Sequence, residues 1–154
     1  MSNISMTTSK RNAIVTVMLI SAFVSMLNQT ILNTALPAII KGLNITETTA
    51  QWLITGFMLV NGIMIPLTAF LMDKYSTRHL YIFSMAIFLI GSIVAAFSPT
   101  FTILMISRII QAIGAGILLP LMQFTVFTLF PAEQRGFAMG LAGVVVQSAP
   151  AIGP

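Results

Sequence analysis

The sequence predicts an all-α membrane protein, a polytopic bundle of about five transmembrane helices making up a single partial transmembrane domain. Two observations lead there. Apolar runs long enough to cross a bilayer, which takes about 20 residues, follow one another with only short polar breaks. Charged residues make up just 6% of the chain against 57% hydrophobic, with a mean hydropathy of +1.00, whereas soluble domains carry roughly 25% charged residues. A soluble core of 154 residues could not hide so much apolar surface, so the solvent is lipid.

The elements follow in order. The first span is Ala13–Leu36, preceded by Lys10-Arg11. That start resembles a signal peptide, but the apolar run far exceeds a signal core of about 7–15 residues and further spans follow, which makes it an uncleaved helix. Pro37 is predicted to close it, with Asn44-Ile45-Thr46-Glu47 as a polar connection and cap. The second span is Ala50–Met72, ended by a tight charged loop from Asp73 to His79. The third is Leu80–Phe97, followed by the turn Ser98-Pro99-Thr100. The fourth, Phe101–Phe130, contains Pro120, which should free a backbone carbonyl for a neighbouring helix to satisfy. Pro131-Ala132-Glu133-Gln134-Arg135 leads into a fifth span, 136–154. Gly136 and Gly140 form a GxxxG step there, and Pro150, Gly153 and Pro154 are expected to bend it.

Charge sets the orientation. Lys10, Arg11, Lys74, Arg78 and Arg135 fall on one side of the alternating topology and Lys41 alone on the other. The positive-inside rule then places the N-terminus in the cytoplasm of a multi-pass cell-membrane protein. Seven cations spread over this length form no basic stripe, so nucleic acid is excluded as a partner; the lipid bilayer is the expected one. There is no cysteine, hence no disulfide, thiolate metal site or cysteine nucleophile. Paired acids, His/Asp clusters and metal-ligand spacing are also missing, so neither an enzyme nor a metal or other cofactor is expected.

Arg108 is the single charge in the run Phe97–Phe130. A guanidinium inside a bilayer costs about 2.5–3.5 kcal/mol on insertion scales, so such residues face a protein interior or a water cavity and carry function. Gln111 adds a polar group one turn on, and Gly114 and Gly116 permit close packing. The competing reading is an arginine near the helix end that snorkels to the headgroups. Further polar residues line two spans: Asn28, Gln29, Thr30, Asn33 and Thr34 in the first, and Gln51, Thr55, Met58, Asn61 and Thr68 at three- or four-residue steps in the second. They either share a cavity or hydrogen-bond between helices. The three acids, Glu47, Asp73 and Glu133, all lie at span ends or in loops, so no midplane carboxylate is present to carry a proton. His79 sits at a loop edge and reads as a solvated surface residue.

These residues resemble the major facilitator superfamily, specifically its fourteen-helix drug–proton antiporter branch, which contains multidrug and lincomycin-resistance efflux transporters. Leu27-Asn28-Gln29-Thr30-Ile31-Leu32-Asn33-Thr34-Ala35-Leu36-Pro37 is similar to that branch's first-helix motif. The stretch Ala69 to Arg78, with Asp73 and Lys74, is similar to the loop motif between helices two and three. Arg108, Gln111, Gly114 and Gly116 match the fourth-helix motif, and Ala149-Pro150-Ala151-Ile152-Gly153-Pro154 the start of the fifth-helix antiporter motif. Gln51-Trp52, opening the second helix, also fits.

The departures are specific. Amides stand at Asn28 and Gln29 where the first-helix motif usually carries a carboxylate. Ala69, Ser76 and Ala112 replace glycines. The resemblance implies two pseudo-symmetric halves with substrate bound between them near the midplane. It makes this chain most of one half, an N-terminal fragment or truncated reading frame that lacks the C-terminal half. It further implies that Arg108 and Gln111, with Asn28, Gln29, Asn33 and Asn61, serve the cavity or coupling. Asp73, Lys74 and Arg78 would form a cytoplasmic latch, and small amphipathic substrates and protons would be the partners of the full-length protein. A non-transporting helical subunit or assembly protein, whose polar stripes only pack, is the alternative.

Overall fold

A computed structural model describes residues 8–152. They form five helices: α1 (Thr8–Leu43), α2 (Glu47–Lys74), α3 (Thr77–Ala96), α4 (Phe101–Leu129) and α5 (Ala132–Ile152). Backbone groups in lipid must be satisfied within the chain, and a helix does this with local bonds alone. Thr46, Ser76 and Thr100 each accept a backbone N–H of the following first turn, fixing the starts of α2, α3 and α4.

Several boundaries differ from expectation. Pro37 does not close the first helix; α1 continues through it to Leu43. One lost backbone bond is cheaper in an apolar medium than abandoning the rest of the ladder. The helix stops where Asn44 takes a left-handed φ of 50° and Ile45 N–H reaches back to Ile40 O at 3.2 Å, a Schellman-type ending. The expected charged loop from Asp73 to His79 shrinks to Tyr75 and Ser76, with Asp73 and Lys74 in the last turn of α2 and Arg78 and His79 in the first turn of α3. Likewise α5 begins at Ala132, so Glu133 and Arg135 are helical. Among the described residues four helices, α1 to α4, are long and apolar enough to cross a membrane. In α5 the Glu133-Gln134-Arg135 opening and the glycines weaken the apolar run.

α4 is the centre of the bundle. Its apolar stretch is 56% buried, against 22–28% for those of α1, α2 and α3, and it packs most extensively on α3 and α2. One core layer draws on every helix: Met18 and Ala22, Met64, Leu80, Ile117, Leu121 and Ala142. The close approach depends on glycine. A Cβ on Gly114 would stand 2.6 Å from Ser84 O and 2.9 Å from Phe88 N, and one on Gly91 would stand 2.9 Å from Gln111 N and from Ser107 O.

α4 runs unbroken through Pro120, and the carbonyl this proline frees, Gly116 O, is met from α2. The buried Thr68 hydroxyl lies 3.3 Å from it while donating at 2.7 Å to Met64 O in its own helix, so one proton is shared between two acceptors. The expected packing of Gly136 and Gly140 is not observed: among the described residues nothing lies within 4 Å of a Cβ at either position. α5 turns Ala138, Ala142 and Ala149 to the bundle instead. A methyl group there fills the contact that glycine would leave open.

Candidate functional site: a buried arginine held by amides

Arg108 is 2% exposed, so it does not snorkel; its head is inside the bundle. Its Nη1 donates to Asn28 Oδ1 on α1 at 2.9 Å and to Gln111 Oε1, one turn along α4, at 2.8 Å. Gln111 Nε2 in turn donates to Ser92 Oγ on α3 at 3.0 Å. The guanidinium carbon sits 4.4 Å above the centre of the Phe57 ring of α2. One residue therefore ties together α1, α2, α3 and α4. Among the described residues Arg108 Nε has no hydrogen-bond partner.

The electrostatics are unusual because every partner is neutral. Taking a cation out of water costs several kcal/mol even after relaxation. Hydrogen bonds to a charged group return about 1.5–3 kcal/mol each, and a desolvated cation–π contact about 2 kcal/mol. These partners position the guanidinium and lower its cost without cancelling its charge.

The remaining polar residues divide. Asn61 turns its Oδ1 against Gly116, 2.9 Å from where a Cβ would stand, and among the described residues that oxygen has no hydrogen-bond donor. Gln29 and Asn61, with Ser25, Met26 and Phe57, line a cavity of about 20 Å³, room for about one water. Asn33 is exposed, as are Gln51, Thr55 and Met58, whereas Thr68 is buried against α4. The second-span stripe therefore does not form one face of a cavity: Gln51 and Thr55 border an open groove of about 450 Å³ with Glu47 and Trp52, Asn61 borders the small cavity, and Thr68 packs. Ser92 and Phe57 were not singled out by sequence. Ser92 was readable as a hydroxyl in an otherwise apolar helix, but an aromatic facing the core carries no signal that a cation rests on it.

Asp73, Lys74 and Arg78 are all exposed, and among the described residues no hydrogen bond or ion pair joins them; Lys74 instead stands 4.5 Å from the centre of the Phe70 ring. At another helix end, Arg135 Nε donates to Phe130 O at 3.0 Å and Arg11 lies 4.4 Å over the Phe130 ring. This gathers the starts of α1 and α5 at the end of α4. Pro150 lies inside α5, half-buried; Gly153 and Pro154 lie outside the described residues.

The family model of the Major Facilitator Superfamily matches residues 18–154. Over 144 residues the chain is 55% identical to an uncharacterized transporter of this type, YcnB of Bacillus subtilis, covering 94% of this chain and 30% of that protein. It is 45% identical over 137 residues to the lincomycin resistance protein LmrB of B. subtilis, covering 89% of this chain and 29% of the relative. To the probable multidrug resistance protein EmrY of Escherichia coli it is 34% identical over 135 residues, covering 88% and 26%. The chain thus spans under a third of the length of these curated relatives.

Proposed function

This chain belongs to the Major Facilitator Superfamily, and from that premise we propose that it forms the N-terminal portion of a longer secondary active transporter. That transporter exports drugs or other amphipathic small molecules in exchange for protons. The observation that carries the reading is the buried, neutral-partnered Arg108 at the meeting point of four helices, since a charge is retained inside a bilayer where it serves transport. Relatives named for lincomycin and multidrug resistance support drugs as the substrate class. Alternating access needs a second repeat to rock against, so the transport unit is the longer protein. Dye efflux by cells expressing the full-length protein that carries this segment, with and without a proton gradient, tests the reading. Efflux indifferent to the gradient removes the proton exchange; no efflux of any amphiphile removes the export.

The orientation follows the cation bias, with the N-terminus in the cytoplasm. Reporter fusions after Lys10, Ser76 and Gln134 are expected to signal from the cytoplasm, and those after Asn44 and Ser98 from outside. An external signal at Ser76 overturns the assignment.

Proton coupling is assigned outside this stretch. Asn28 and Gln29 carry no titratable proton, and Asp73 and Glu133 sit in the last turn of α2 and the first turn of α5. Asp73→Asn and Glu133→Gln in the full-length protein are therefore expected to change transport rate while leaving protons moved per drug exported unchanged. Simultaneous recording of drug efflux and proton flux decides this. Loss of proton movement with drug exchange intact, in either variant, puts the coupling site here after all.

A further inference from the structure

Resting on the export reading above, we propose that Arg108 receives the anionic head group of an amphipathic substrate, and that Asn28 is the residue that keeps it able to do so. The guanidinium is buried, its two hydrogen bonds end on the amide oxygens of Asn28 and Gln111, and among the described residues its Nε is unpartnered. Among the described residues no carboxylate compensates it: Glu47 and Glu133 lie in first turns of helices, and Asp73 is next to the last residue of α2. A buried cation held in place by neutral dipoles keeps its charge and its demand for a counter-charge. An aspartate has the shape of Asn28 but would meet that demand permanently. The amide fixes the geometry and leaves the demand open.

The path to Arg108 lies past α1. The buried residues of that helix are Val15, Met18, Ser21 and Ala22. Beyond them Asn28 and Gln29 are half-buried and Asn33 is exposed. The latter half of α1 therefore has no fully buried residue and is bonded to α4 through Asn28, and its displacement would uncover the guanidinium. An apolar tail would then follow Met26, Phe57, Leu119 and Val146, which already line the small cavity beside it. Head and tail together specify an amphipathic anion such as a fatty carboxylate or sulfonate.

The test uses the full-length protein carrying this segment, in lipid nanodiscs near neutral pH. Two probes share one tail and differ in head charge: laurate and dodecyltrimethylammonium. Laurate is expected to bind about tenfold or more tighter, with the preference weakening as salt rises. Asn28→Asp should lower laurate affinity about tenfold and leave the cationic probe unchanged or tighter. Gln111→Glu should do the same from the other side of Nη1, which keeps the proposal testable where one variant folds poorly. Equal affinity for the two heads, or a laurate preference that survives both variants, overturns the anion site. Efflux of a cationic dye by a protein that does not bind laurate also overturns it and leaves export standing. Laurate binding with no efflux of any amphiphile ends the export reading and leaves the anion site in place.

Discussion

Arg108→Ala is expected to abolish drug efflux in the full-length protein while leaving its abundance in the membrane near the unsubstituted level. The two halves of this prediction have separate causes. Efflux is lost because the substitution removes the single charge buried among α1 to α4 and every contact that radiates from it: the bonds to Asn28 and Gln111 and the stack on Phe57. Abundance is kept because the groups left behind are amides. An orphaned buried amide costs about 1–3 kcal/mol, and the same change removes the desolvation cost of a buried cation. Had Asn28 been aspartate, truncation would strand an unpaired buried charge and the protein would suffer far more. Arg108→Lys should restore little. One ammonium on a flexible stem lacks the planar fork that bonds two oxygens while lying flat on a ring. Efflux and quantitative membrane immunoblots, measured on the same cells, separate the two effects. Efflux at the unsubstituted rate in the alanine variant would show that Arg108 only packs.

What could be read in the sequence follows from which physical forces are local. Apolar run lengths fixed the existence and order of the helices, because the bilayer imposes a length that the chain must meet residue by residue. Thr46 as a cap and the freed carbonyl opposite Pro120 were also legible, since both depend on short-range backbone chemistry. Pro37 does not close the first helix, as it would be expected to in water, because lipid penalises unravelling the turns beyond it. The charged loop after α2 is short because the Ser76 hydroxyl caps α3, which leaves only Tyr75 and Ser76 between the helices.

The site was half legible. Arg108 and Gln111 stand out as polar residues three apart on one apolar helix, and Asn28 as an amide in another. That Asn28 rather than Gln29 or Asn33 meets the arginine depends on the rotation of α1, which no periodicity within α1 alone determines. Phe57 and Ser92 enter only through tertiary packing. The latch residues Asp73, Lys74 and Arg78 share a stretch of sequence, yet exposure leaves each of them solvated and separate.

Glycine gives the sharpest contrast between motif and packing, and the second large effect. Gly114→Ala and Gly91→Ala are each expected to destabilise the bundle by about 1–3 kcal/mol or more, the range for overpacking a filled interior. In both cases the added methyl meets backbone: Ser84 O at 2.6 Å and Phe88 N at 2.9 Å for residue 114, Ser107 O and Gln111 N at 2.9 Å for residue 91. A side chain could swing aside, but a helix backbone moves only with its whole axis. Relief would therefore separate α3 from α4 and shift Gln111 away from Ser92, loosening the network that holds Arg108. Gly136→Ala and Gly140→Ala belong to the more familiar GxxxG pattern, yet among the described residues a methyl at either position meets nothing within 4 Å. Both should be tolerated in this chain, with helix propensity slightly in their favour. Thermal unfolding midpoints of the four variants in one detergent, alongside their membrane abundance, make the comparison. The expected order is a clear drop for residues 91 and 114 and none for residues 136 and 140. Equal tolerance at all four positions would mean that α3 and α4 do not approach closely enough for glycine to be required, and that the link from α3 through Ser92 to Gln111 is not what seats Arg108.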